Sequence, residues 1–105
     1  SERITIMLDL ELLKEKVIKD IAAEINNSYI ALKNAIAKIE TVESDIRVYN
    51  DNLSSVKDKY AQGIASSLDN GDANLKYDIA LFNKKQAVYD YIIAKNSFDK
   101  ATGGM

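Results

Sequence analysis

The stretch "KYAQGIASSLDNGDAN", residues 59–74, decides how this chain folds. It holds two of the four glycines of a chain that has no proline. The sequence on either side has the pattern of continuous helix. Gly63 follows Tyr60, the last residue of the first apolar pattern, and permits the positive φ with which many helices end. The stretch therefore predicts a helical hairpin that turns near Gly63.

The residues after Gly63 allow two different starts for the second helix. Ser66 and Asp69 have the spacing of a capping box, which would place Asn70-Gly71 in the first helical turn. That placement costs on the order of 1–1.5 kcal/mol relative to good helix formers. Alternatively, Asp72 caps the helix and residues 62–71 form a loop. We take as the expected bounds a helix over about 8–61, a tip over about 62–71 and a helix over about 72–102.

Apolar residues in the first half recur in alternating steps of three and four. This period of about 3.5 residues is typical of helices that wind into left-handed coiled coils. Before this pattern, residues 4–10 alternate as a strand would, but they also fit the beginning of the helix, which we favour. The repeating positions are Ile18, Ile21, Ile25, Ser28, Leu32, Ala35, Ile39, Val42, Ile46, Tyr49, Leu53, Val56 and Tyr60.

The second half carries two apolar stripes side by side. They cover more than half of the helix circumference, so we expect this helix to have neighbours on two sides. The first stripe consists of Leu75, Ile79, Phe82, Gln86, Tyr89, Ile93 and Asn96. The second consists of alanines seven residues apart, Ala73, Ala80, Ala87, Ala94 and Ala101, flanked by Tyr77, Tyr91 and Phe98.

The two predicted helices differ in length. The shorter one can pair with only about half of the longer one, so residues 1 to about 30 would overhang with their apolar positions in water. Ile18, Ile21 and Ile25 would each forgo about 1.5–3 kcal/mol of burial. The sequence therefore predicts association with other helices, from the same chain or from other copies.

The composition argues against several classes of function. The chain has no Cys and no His, which removes thiolate nucleophiles, imidazole bases and the usual zinc ligands. Its 16 acidic and 14 basic residues are interspersed, and they leave no basic patch for nucleic acid. The longest uncharged run, residues 60–68, is far shorter than the roughly 20 residues that span a bilayer. We expect no enzyme activity, no cofactor, no metal site and no membrane span in these residues.

The turn also carries a resemblance to a known family. Tyr60, Gly63, Ser66, Asp69 and Asp72-Ala73 are each spaced by three residues, and the later "YDY" (89–91) and "ATG" (101–103) follow without a gap. This pattern resembles the outer-membrane efflux protein family of the TolC type. The likeness extends over about residues 12–103, because the sequence before the turn is similar to the long helix that leads into the family motif.

The resemblance implies a place in a larger assembly. Family members are homotrimers with a β-barrel in the outer membrane and an α-helical barrel across the periplasm, built from coiled-coil hairpins. The chain would be one all-α, long antiparallel coiled-coil hairpin of such a barrel, in the periplasmic part of a Gram-negative outer-membrane protein. Its implied partners are a periplasmic adaptor, an inner-membrane pump and other copies of itself, in a tripartite pump that exports drugs, metals or proteins.

The resemblance also assigns roles to residues at the tip. Asp69 and Asp72 match positions that form aspartate rings at the channel entrance, which favour cations. Tyr60 matches a tyrosine in the hydrogen-bond network that holds the entrance shut. The positions that meet the adaptor are Gln62, Gly63, Ile64 and Ser66.

This sequence departs from the family pattern at two places. An arginine common in the gating network is Ala65 here, and Asn70-Gly71 replaces a pair of apolar residues. Simpler interpretations also exist: Asp69 and Asp72 as ordinary first-turn acids, and Gly63 as an ordinary helix C-cap. For the whole chain, the alternative function is a general coiled-coil scaffold or interaction module. The doubly apolar second helix favours the channel component, because a stand-alone coiled coil needs only one apolar face.

Overall fold

The computed structural model describes residues 1–103, which form two antiparallel α-helices. Helix α1 spans Glu2–Ala61 and helix α2 spans Ser67–Ala101. The molecule measures 91 × 23 × 14 Å, and residues 1–103 contain no β-strand. The predicted all-α hairpin of two unequal, antiparallel helices is therefore confirmed.

Helix α1 begins earlier than the expected residue 8. The Ser1 hydroxyl accepts a hydrogen bond from the Ile4 backbone N–H at 3.4 Å, and Glu2 places an acidic side chain in the first turn. Both features favour a helix N-terminus. Residues 4–10 lie inside α1 and not in a strand, so the favoured interpretation of their alternation is confirmed.

The two helices pack through one seam from each. On α1 the predicted seam is buried or half-buried at most positions from Ile25 to Val56, with Val42 and Leu53 as its most enclosed large side chains. On α2 the alanine stripe faces α1, and Ala73, Ala80 and Ala87 are only 2–3% exposed. The α2 seam consists of Ala73, Tyr77, Ala80, Lys84, Ala87, Tyr91, Ala94, Phe98 and Ala101.

The other apolar stripe of α2 points away from α1. Its large members, Leu75, Ile79, Phe82, Tyr89 and Ile93, are 48–64% exposed. The hairpin therefore pairs its helices through the small residues of α2 and leaves the large ones outside. An exposed apolar row of this length is typical of a surface that binds another protein element.

The first part of α1 extends beyond the end of α2. Helix α1 has 60 residues and α2 has 35, a difference of 25 residues. Tyr29 and Phe98, with ring centroids 6.2 Å apart, lie near the end of the paired region. Every residue from 1 to 24 is exposed, including the seam residues Ile18 and Ile21. Within residues 1–103, neither helix has a segment both long and apolar enough to cross a membrane.

Candidate functional site

Helix α1 ends in a tight turn closed by backbone hydrogen bonds. Gln62 is its C-cap, and Gly63 follows with φ +77°. The Gly63 N–H donates to the Tyr60 carbonyl at 3.0 Å, and the Ile64 N–H donates to the Lys59 carbonyl at 2.7 Å. This pair of bonds is the Schellman motif, in which glycine takes the left-handed conformation and satisfies carbonyls left free by the helix.

Helix α2 begins with a capping box. The Ser66 hydroxyl accepts from the Asp69 backbone N–H, and the Asp69 carboxylate accepts from the Ser66 backbone N–H, both at 3.0 Å. These reciprocal bonds satisfy two donors that a helix start otherwise leaves free. The expected loop over 62–71 is therefore wrong in its second half: α2 starts at Ser67, Ser66 is its N-cap, and Asp72 lies inside the helix.

The early start places Asn70 and Gly71 inside the helix, despite their low helix propensity. Asn70 is half-buried, and its backbone carbonyl accepts a hydrogen bond from the Asn74 side-chain amide at 2.9 Å. Its own side-chain oxygen is buried without a hydrogen-bond partner. A Cβ built on Gly71 meets no atom within 4 Å. The first turns of α2 thus contain one poorly satisfied polar group and one residue that packs against nothing.

The residues matched to the adaptor contact all lie in the link between the helices. Gln62, Gly63, Ile64 and Ser66 are exposed, and a Cβ built on Gly63 also meets open space. Ile64, at 69% exposure, is an apolar side chain projecting from the very end of the molecule. The tip therefore presents a short, hydrogen-bonded surface that another protein could contact without displacing any side chain packed over Gly63.

The two predicted ring residues lie together in one groove beside the tip. Asp69 and Asp72 line this groove with two basic residues, Lys59 from α1 and Lys76 from α2. Asn52, Val56, Ile64, Ala65 and Ala73 complete its wall. Tyr60, half-exposed in the last turn of α1, is not among the lining residues.

Each of the two carboxylates has a different partner. The pKa of Asp69 lies below its ordinary value of 3.8, first because the Ser66 backbone N–H donates to the carboxylate and second because of its hydrogen bond with the Ser66 side chain. Asp72 pairs with Lys76, one turn later, at 3.1 Å between Oδ2 and Nζ. Both members of that pair are more than half exposed, so the ion pair itself contributes little to stability.

Sequence reasoning missed the two basic residues of the groove. The Asp72–Lys76 spacing of four was a readable signal, because an acid four residues before a lysine is the favourable order on a helix. The contribution of Lys59 was not readable, because it depends on how the turn brings the two helix ends together. No group of three or more acidic side chains within residues 1–103 is arranged to hold a metal ion.

A family model described as outer membrane efflux protein matches residues 9–104. This chain belongs to the outer membrane efflux protein family. The efflux family consists of outer-membrane transport components of the Gram-negative envelope, not of enzymes, and its members associate in efflux complexes. Comparisons with curated proteins and with solved structures gave no significant match. The family match favours an efflux-channel component over a general coiled-coil scaffold.

Proposed function

We propose that this hairpin is a periplasmic segment of a trimeric outer-membrane efflux channel. In this proposal its tip forms part of the channel entrance and contacts the periplasmic adaptor of a tripartite pump. The observation that carries the proposal is the efflux-family match over residues 9–104 on a hairpin that ends in an exposed, hydrogen-bonded turn. The hairpin shape alone would not carry the proposal, because coiled-coil hairpins occur in many kinds of protein.

The exposed apolar surfaces of the hairpin support a position inside a larger tube. The outward stripe of α2 and the overhang of α1 leave large apolar side chains in water on both helices. Covering each such side chain is worth about 1.5–3 kcal/mol. A hairpin with a neighbour on each side, as in a barrel built of helices, covers these surfaces, whereas an isolated hairpin does not.

The geometry of the tip supports both of its proposed roles. The Schellman turn and the capping box fix the link between the helices by hydrogen bonds within the link itself. Gln62, Gly63 and Ile64 are therefore held in a defined turn that a partner can contact. Asp69 and Asp72 lie beside this surface, and acids repeated by symmetry around a pore attract cations. In the intact trimer we assign Tyr60 to the hydrogen bonds that hold the resting entrance closed.

The adaptor contact is tested by adding bulk at Gly63 in the intact channel. Gly63→Trp fills the open space over the turn, and we expect it to abolish drug export while leaving trimer assembly intact. Gly63 has φ +77°, so any side chain there adds backbone strain. Gly63→Asn is the matched control, because asparagine tolerates the left-handed conformation better than other residues. We expect the control to retain export.

The measurement is resistance of cells to an exported drug, together with chemical cross-linking of trimers. Normal resistance with Gly63→Trp would contradict contact between the adaptor and this turn. Equal loss of export with Gly63→Trp and Gly63→Asn would assign the effect to the backbone of the turn and would also contradict the proposal.

A further inference from the structure

Lys76 carries a positive charge next to the proposed acidic ring. Its Nζ is 3.1 Å from the Asp72 carboxylate, and the two residues face the same side of α2 one turn apart. Because both side chains are more than half exposed, the charge of Lys76 is open to the groove and to any ion that passes close to it. It is not confined to a buried ion pair.

The groove beside the tip carries balanced charge. Asp69 and Asp72 contribute two negative charges, and Lys59 and Lys76 contribute two positive charges. A ring of acidic side chains attracts cations from solution, but basic side chains close to the ring weaken that attraction. In this chain the basic side chain closest to Asp72 is Lys76, which lies on the same helix. In a symmetric channel each copy would therefore place a lysine beside each Asp72.

We propose that Lys76 is a specificity-determining residue of the channel entrance, a counter-charge that limits the preference of the acidic ring for cations. This inference rests on the proposed function, because it requires the tip to lie on the path of ions. Asp69 and Asp72 draw cations towards the groove, and Lys76 sets how strongly they do so. An entrance of this kind discriminates less between anionic and cationic solutes than an entrance lined by acids alone.

The test is ion selectivity of the intact channel in planar lipid bilayers, measured as the reversal potential in a KCl gradient. Lys76→Gln removes the counter-charge and keeps a polar side chain of similar length. One unit charge a few ångströms from an ion in well-solvated surroundings changes its occupancy about fivefold. Because the change has opposite sign for potassium and chloride, we expect Lys76→Gln to raise the ratio of their permeabilities roughly 25-fold. Lys76→Arg preserves the charge, and we expect it to retain the original ratio.

A second ion pair provides a matched control. Lys95 and Asp99 also lie four residues apart on α2, with Nζ and Oδ2 2.9 Å apart, but near the other end of the helix. Lys95→Gln therefore removes a lysine from an equivalent pair without changing the charge at the tip. We expect it to leave selectivity unchanged. An equal rise with Lys95→Gln would overturn the assignment to Lys76.

The double variant Asp69→Ala with Asp72→Ala separates this inference from the proposed function. We expect it to lower the permeability ratio, since it removes both acids of the groove. If it does so while Lys76→Gln has no effect, the counter-charge inference fails and the proposed position of the tip stands. If neither variant changes the ratio, the tip does not lie on the ion path and both proposals fail.

Discussion

Ser66 and Asp69 determine where the second helix begins. Their reciprocal hydrogen bonds satisfy two backbone N–H groups at the first turn, those of Ser66 and Asp69. This local gain outweighs the poor helix propensity of Asn70 and Gly71. The competing start at Asp72 would have left Ser66 and Asp69 in a loop without these bonds. The spacing of a serine and an acid was visible in the sequence. Whether the capping box would outweigh the low helix propensity of Asn70 and Gly71 was not.

The capping box makes the hairpin sensitive to acid. Hydrogen bonds from Ser66 lower the pKa of Asp69 below 3.8, so the ionised carboxylate favours the folded state. This contribution is complete above the unfolded-state pKa and is lost as the pH falls through the lowered folded-state pKa. We expect the free energy of unfolding to decrease in this acidic range, measured by chemical denaturation at a series of pH values. In Asp69→Ala the decrease should be smaller, and an identical pH dependence in both proteins would contradict this role.

Gly71 is a place where the helix can be strengthened. It lies inside α2 with open space around its missing Cβ, and glycine in a helix costs roughly 0.5–1 kcal/mol relative to alanine. We expect Gly71→Ala to raise the free energy of unfolding by about that amount, measured by chemical denaturation. Gly63→Ala serves as the opposite control, because Gly63 has positive φ and alanine there should destabilise the hairpin. Stabilisation by both changes would contradict the turn geometry.

At the scale of the helices, size complementarity selects the stripe of α2 that faces α1. The α1 seam is rich in Ile, Leu and Val, and the alanines of α2 let the two backbones come close enough for these large side chains to be enclosed. The sequence predicted both stripes of α2 and the need for neighbours on two sides. It did not show which stripe would face α1, because both repeat with the same period.

Lys84 shows the limit of reading single residues from the pattern. Lys84 occupies the α2 seam, and its Nζ lies 3.8 Å from the Glu43 carboxylate across the interface. A long lysine side chain can cover apolar surface with its stem while its charged end stays in water. The repeat of the alanine stripe places Lys84 between Ala80 and Ala87, which is the signal that could have identified it.

Enlarging the alanine stripe should separate the helices. Ala80 is 3% exposed, and inserting extra methylenes into a packed interface costs about 1–3 kcal/mol. We expect Ala80→Leu to lower the free energy of unfolding by this amount. Ala37→Leu makes the same change at an exposed position of α1, and we expect little effect. Chemical denaturation monitored by circular dichroism provides the measurement, and equal effects of the two substitutions would contradict the assignment of the interface.

At the scale of the whole molecule, the unequal helix lengths leave α1 with an unpaired apolar segment. The seam continues through Ile18 and Ile21 after α2 has ended. We expect the chain to self-associate in solution and residues 1–24 to be needed for that association. Sedimentation equilibrium of the whole chain and of a version lacking these residues provides the measurement. A whole chain that remains strictly monomeric while fully helical would contradict this expectation.

The fold was more predictable than the site. Repeats of three and four residues report a coiled coil directly, because the period of a helix fixes which residues share a face. The groove at the tip depends instead on where the turn brings Lys59 of α1 relative to Asp69, Asp72 and Lys76 of α2. That relationship comes from the dihedral angles of a few link residues, which the spacing of residue types does not specify.

The central claim is that the tips of several hairpins converge around one channel axis, and cross-linking at Asp72 tests it most directly. The chain itself contains no cysteine, so Asp72→Cys places a single thiol in this hairpin of the intact protein. Treatment with bifunctional thiol reagents of increasing length should yield covalent dimers of the subunit. Lys85→Cys, an exposed site further along α2, is the control, and it should cross-link far less. Covalent dimers that are no more abundant from Asp72→Cys than from Lys85→Cys would contradict the account.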